Sequence, residues 1–138
     1  MLLLWLGWTF LLQERHGGAS IVVHSVIDRP ISYVYVNGKM GSNTFAFDGL
    51  NAGGGSAGPY RIDGDTVKID WELDMTEEQE NAGYQFEKLS LTLPMPRREK
   101  GQDNFHVLFL PDNKVIVRWG GWAEPVMNDA IDTYRTRK

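Results

Sequence analysis

The sequence predicts a mainly β protein: an antiparallel β-sandwich or open barrel of about seven short strands with a short C-terminal helix. Three observations carry this expectation. Stretches with an apolar residue at every second position recur along the chain. Clusters of Pro, Gly, Asn and Asp separate them at about the spacing of short strands. No amphipathic helices alternate with these stretches, which argues against a parallel α/β sheet.

The first strand is expected over residues 20–27, rich in β-branched side chains and ended by Asp28, Arg29 and Pro30. Residues 31–36 form the second, with Ile31, Tyr33 and Tyr35 on one side and Ser32, Val34 and Val36 on the other. Asn37-Gly38 follows, a hairpin signal because both residues tolerate the positive φ of a type I′ turn, and a second arm runs over residues 42–47. Between Asp48 and Pro59 the chain is too glycine-rich to hold regular structure, so an exposed, mobile loop is expected there.

Residues 66–73 alternate Val67, Ile69, Trp71 and Leu73 against polar neighbours, the pattern of a half-exposed strand. Thr76 followed by Gln79 reads as a capping box opening a short acidic helix. A strand over residues 84–93 carries Phe86, Leu89, Leu91 and Leu93, with an irregularity at Glu87 and Lys88, and stops at Pro94 and Pro96. Residues 105–110 and 114–119 form a second hairpin around Pro111, Asp112 and Asn113, and a helix begins around Pro125.

The 138 residues, 42% hydrophobic and 23% charged, suit one folded core. A net charge of -4 disfavours a nucleic-acid partner, because phosphate binding draws its free energy from Lys and Arg releasing counterions. The absence of cysteine excludes disulfides, thiolate metal sites and thiol nucleophiles. Acidic residues concentrate between Asp63 and Glu80, a charge pattern able to steer a basic partner as well as to solvate a face.

Residues 2–12, LLLWLGWTFLL, would extend about 16 Å as a helix, roughly half a bilayer core. They read as a shortened export signal or inner-membrane anchor, with a core strand or helix as the alternative. On the first reading residues 1–19 are segment and tether, and residues 20–138 are a single β-rich domain.

The residues of classical chemistry are scattered. The glycine run lacks the Lys-Ser or Lys-Thr pair and the helix of a phosphate loop. His16, His24 and His106 have no metal-ligand spacing, although His24 and His106 lie in strands that a sheet could bring together. Ser56 within GGGSAG has the residue pattern of a nucleophile elbow without its strand and helix. Asp63-Gly64-Asp65 with Asp70 lacks the calcium-loop pattern and reads as a tight turn. No cofactor, metal or catalytic residue is therefore assigned.

Two stretches carry a resemblance. Ile27-Asp28-Arg29-Pro30-Ile31, leading through Val34-Tyr35-Val36-Asn37-Gly38 and Gly41-Ser42-Asn43 to the glycine run, is the first. Val107-Leu108-Phe109-Leu110-Pro111-Asp112-Asn113-Lys114-Val115 is the second. Together they resemble an uncharacterised bacterial domain-of-unknown-function family of small envelope proteins. Members are often lipoproteins encoded beside type VI secretion lipase effectors.

The resemblance implies an immunity protein that binds and inhibits a cognate secreted lipase toxin in the periplasm. Here the lipid-attachment cysteine and the cysteine pair after the glycine run are missing, and Ser56 and Ala57 stand at the latter place. An inhibitor needs a complementary face and no reactive group. The candidate contacts are Gly53, Gly54 and Gly55, the acidic Asp74, Glu77, Glu78 and Glu80 with Tyr84, and the rings of Trp119 and Trp122. A carbohydrate- or envelope-binding module using the two tryptophans is the alternative, and a hydrolase centred on Ser56 is a third reading.

Overall fold

The computed structural model describes residues 17–50, 52–121 and 125–134. Residues 2–12, His16 and Trp122, all singled out above, lie outside the described residues. The described residues form eight strands in two four-stranded sheets and two short helices, an open, sandwich-like fold of the predicted class. The first sheet has the order β4-β1-β7-β8, built from β1 (Ala19–Ser25), β4 (Gly53–Tyr60), β7 (Asn104–Leu110) and β8 (Lys114–Gly120). The second has the order β3-β2-β5-β6, from β2 (Ile31–Val36), β3 (Lys39–Met40), β5 (Thr66–Leu73) and β6 (Glu87–Pro94). Helix α1 spans Glu77–Asn81 and α2 spans Pro125–Asp132.

Alternation decides which residues meet between the sheets. Ile21 and Val23 of β1 and Phe105, Val107 and Phe109 of β7 face Val34 and Val36 of β2 and Val67, Ile69, Trp71 and Leu73 of β5. Trp71 anchors this layer, its ring centroid 5.1 Å from that of Phe109. The outer face of the first sheet carries a second apolar cluster: Leu108, Leu110, Val26 and Ala52 pack with Met127 and Ile131, one turn apart on α2.

The Asn37-Gly38 turn forms as expected, with φ of 48° and 79°. Its second arm is shorter than expected. β3 stops at Met40, and residues 42–47 contribute only an isolated bridge between Thr44 and Ile31. A register shift between Ile31 and Tyr33 also moves Ile31 to the buried side with Val34 and Val36, leaving both tyrosines on the outer face.

Two further expectations are corrected. The glycine run is a strand: β4 pairs antiparallel with β1 through two register shifts. Glycine is required there because the backbones approach closely. Gly58 has a φ of +134°, and a Cβ on it would lie 2.8 Å from the Ala19 carbonyl oxygen. The first sheet is also mixed, since β1 and β7 run parallel with Ile21 beside Phe105 and Val23 beside Val107.

Trp71→Ala removes the largest fully buried side chain of the inter-sheet layer. A loss of about 3–5 kcal/mol is expected, read as a lower urea midpoint at unchanged slope.

Candidate functional site

At one end of the sandwich the turn after β1 is locked to the long connection between β5 and β6 by a buried arginine. Arg29 Nε donates to the Asp74 carbonyl at 2.8 Å, and Nη2 donates to the Gln85 carbonyl at 2.6 Å. Nη1 lies 3.5 Å from Glu87 Oε2, and the guanidinium sits 5.1 Å from the centroid of the Tyr84 ring. A buried guanidinium needs acceptors for its fixed fork of donors, and two backbone carbonyls and a carboxylate provide them. The Asp74 amide donates to the Pro30 carbonyl and the Gln79 side-chain amide donates to the Asp28 carbonyl, both at 2.8 Å. The turn and the connection therefore behave as one body.

Helix α1 is set on this body by the expected capping box. Thr76 Oγ1 accepts from the Gln79 amide at 3.2 Å, and Gln79 Oε1 accepts from the Thr76 amide at 3.0 Å. Asp74 Oδ1 also accepts from the Met75 amide at 2.7 Å. Glu77, Glu78 and Glu80 lie in its first turn, where carboxylates complement the helix dipole, and none of its residues is buried.

Exposed aromatic residues gather at the same end, and the Tyr84 amide donates to the Gln79 carbonyl of the helix at 3.0 Å. Phe86 is 61% exposed and Tyr84 43%. Phe45 is 84% exposed on a segment whose Thr44 and Phe47 amides donate to the Ile31 and Ile27 carbonyls, on either side of the Arg29 turn. The result is an acidic and aromatic face at one end of the molecule.

The structure brings Asp74, Glu77, Glu78, Glu80 and Tyr84 together here. Of the remaining described candidates, Gly53, Gly54 and Gly55 lie on an edge strand and Trp119 lies in the core. Gly53, Gly54 and Gly55 belong to edge strand β4, where the Gly55 amide donates to Ser42 Oγ at 3.2 Å, so the expected mobile loop is corrected. Trp119 is only 5% exposed. Its ring packs edge-on to Phe105 with centroids 5.0 Å apart, and the Arg98 guanidinium covers it at 4.3 Å. It is a core residue.

Ser56 pairs with Val22 within the ladder, without the sharp strand-to-helix turn of a nucleophile elbow. Asp63 is engaged by Arg61 at 2.8 Å in the β4–β5 connection. Among the described residues no three His, Asp or Glu side chains cluster as metal ligands.

His24 and His106 do meet. His24 Nε2 lies 3.0 Å from His106 Nδ1, and His106 Nε2 lies 2.7 Å from the Gly121 carbonyl oxygen. A carbonyl only accepts, so His106 carries its proton on Nε2 and its bare Nδ1 accepts from His24. Ring centroids 5.3 Å apart with planes 12° apart, together with that short N···N distance, describe rings linked edge to edge rather than stacked face to face. Burial first, and His106 second, push His24 down to about 4. His24 therefore stays neutral near pH 7, and the pair ties β1 and β7 to the backbone beyond β8.

Phe45, Phe86 and Arg29 were missed as site residues. The signal for Phe86 was its parity: it lies out of phase with Leu89, Leu91 and Leu93, and β6 begins only at Glu87. In comparisons with known proteins, no family model, curated protein or solved structure matches the chain.

Two outcomes follow from this geometry. Arg29→Ala removes two charge-assisted bonds from a buried position, so a loss of about 2–3 kcal/mol is expected, with faster amide exchange across residues 74–87. His24 is neutral at high pH in both folded and unfolded chains. Between its ordinary value of 6.5 and about 4 only the unfolded chain takes up the proton, so its contribution to stability is lost as the pH falls through that window. The urea midpoint of His24→Gln, set against that of the parent chain, should fall less over the same interval.

Proposed function

We propose that this chain is an immunity-type binding protein that inhibits a secreted lipase toxin by covering it, with the α1 end as its contact face. The observation that carries this reading is the pairing of exposed aromatic rings with an immobilised acidic helix. Phe45, Tyr84 and Phe86 offer apolar anchors of the kind that dominate binding free energy. The clamp at Arg29 keeps their backbone from losing further freedom on association.

Glu77, Glu78 and Glu80 supply the charge that steers and orients a basic rim. A standard interface needs about 800 Å² from each partner and no reactive group. The lipase as target comes from the resemblance of residues 27–43 and 107–115 to small envelope proteins encoded beside such toxins. The same reading assigns the protein to the periplasm, with residues 1–12 as its inner-membrane anchor. The glycan-binding alternative loses one of its two rings, because Trp119 is buried.

The test is titration of the full chain into the lipase encoded by its genomic neighbour, followed by calorimetry and by residual lipase turnover. A tight complex that silences turnover is expected. Phe86→Ala should weaken it by roughly 30-fold, equivalent to a loss of about 2 kcal/mol. Exchanging Glu77, Glu78 and Glu80 for Lys should slow association most at low salt. No complex, or a complex indifferent to all four positions, would reject the assignment.

A further inference from the structure

The two sheets have four edges, and two are spoiled for pairing with another strand. β3 is two residues long. β4 carries two register shifts and is crossed by the Ser42 side chain. β8 is regular as well, pairing with β7 from Lys114 opposite Leu110 to Gly120 opposite Asn104, but Arg98 lies over its Trp119 ring at 4.3 Å. β6 is one residue longer and, among the described residues, carries no such cover. It pairs with β5 from Glu87 opposite Leu73 to Pro94 opposite Thr66 without an irregularity. Among the described residues no backbone hydrogen bond leaves its outer side. Leu89, Leu91 and Leu93 close this flank of the core yet stay half-exposed. A long, regular, apolar edge is a template for another strand.

The register fixes which groups that edge presents. The Met95 amide donates to the Asp65 carbonyl at 2.9 Å, so residues 87, 89, 91 and 93 turn their N–H and C=O groups toward β5. Lys88, Ser90 and Thr92 turn theirs outward. Pro94 also falls on the outward phase, where its missing N–H breaks no bond to β5. The outward groups sit in the sequence Lys88-Leu89-Ser90-Leu91-Thr92, which is close to symmetric about Ser90.

We propose that β6 is the seam of a homodimer, in which a second copy of this chain adds its own β6 antiparallel about a twofold axis at Ser90. Ser90 then faces its own counterpart, Leu89 of each copy faces Leu91 of the other, and Lys88 faces Thr92. Every outward N–H and C=O of these three positions finds a partner, giving roughly six main-chain hydrogen bonds. Leucine meets leucine on the core side, and no like charges oppose one another. The two four-stranded sheets become one of eight strands. The half-exposed leucines are covered by their own kind, as an isologous interface requires. The seam is independent of the lipase, and its test contains none.

The chain has no cysteine, so Ser90→Cys introduces a single thiol at the axis. Hydrogen-bonded antiparallel partners have Cα atoms about 5.5 Å apart, inside the range of about 4.4–6.8 Å that a disulfide spans. Under mild oxidation the full-length Ser90→Cys chain should become a covalent dimer. Thr92→Cys alone should not, whereas a mixture of Lys88→Cys and Thr92→Cys should yield the mixed species. In sedimentation of the cysteine-free full chain, Thr92→Lys should weaken association about tenfold by facing Lys88 of the other copy, and Thr92→Glu should strengthen it. Both changes sit on the exposed face of a strand whose ladder to β5 they leave intact. A Ser90→Cys chain that stays monomeric, equal cross-linking at positions 90 and 92, or association indifferent to the charge at position 92 would each overturn the seam.

Discussion

Everything in this molecule depends on closing one apolar layer between two sheets. Trp71 and Phe109 meet at its centre, and β1, β2, β5 and β7 each commit one face to it. Because a strand has only two faces, that commitment decides what every remaining side chain can do. Tyr33 and Tyr35 go outward because a register shift at the start of β2 puts Ile31, Val34 and Val36 inward. His106 goes outward because Phe105 and Val107 point in, and there it finds His24.

The ends of the sandwich are where polar chemistry gathers, and each end has its arginine. Arg29 organises one by donating to carbonyls that the chain leaves unpaired where it departs the sheets. At the other, Arg98 lies over Trp119 and donates to the Gln102 carbonyl, with Asp103 3.3 Å from Nη2. Both guanidiniums lie over an aromatic ring, a pairing open to a planar cation that sheds water more readily than an ammonium. The first end keeps its aromatic residues outside. The second folds its tryptophan in.

What could be read from the amino-acid order was what depends on neighbours in the chain. The Asn37-Gly38 turn, the capping box of Thr76 and Gln79, and the alternation from Val67 to Leu73 each need only a few consecutive residues to be specified. What could not be read depends on distant partners. The glycine run has no strand propensity of its own and becomes β4 because β1 offers a ladder on which side chains would collide. Whether Trp119 is core or contact surface is not announced nearby in the chain, because Arg98, which covers it, comes from a distant connection. The acidic half of the α1 face was visible as composition. Its aromatic half was not, because Phe45 and Phe86 are exposed by where two separate segments are tied down.

The parallel match of β1 with β7 carries a kinetic consequence. Val22 lies beside His106 and Val23 beside Val107, so β1, the first of the described strands, can pair on its β4 side but must wait for β7 before its other side can zip. Closing so long a loop is entropically expensive, and topologies dominated by such distant pairings fold slowly. Through that interval one side of β1 has no ladder partner, an open edge that needs shielding from neighbouring chains, and completion of the sheet is set by the arrival of β7.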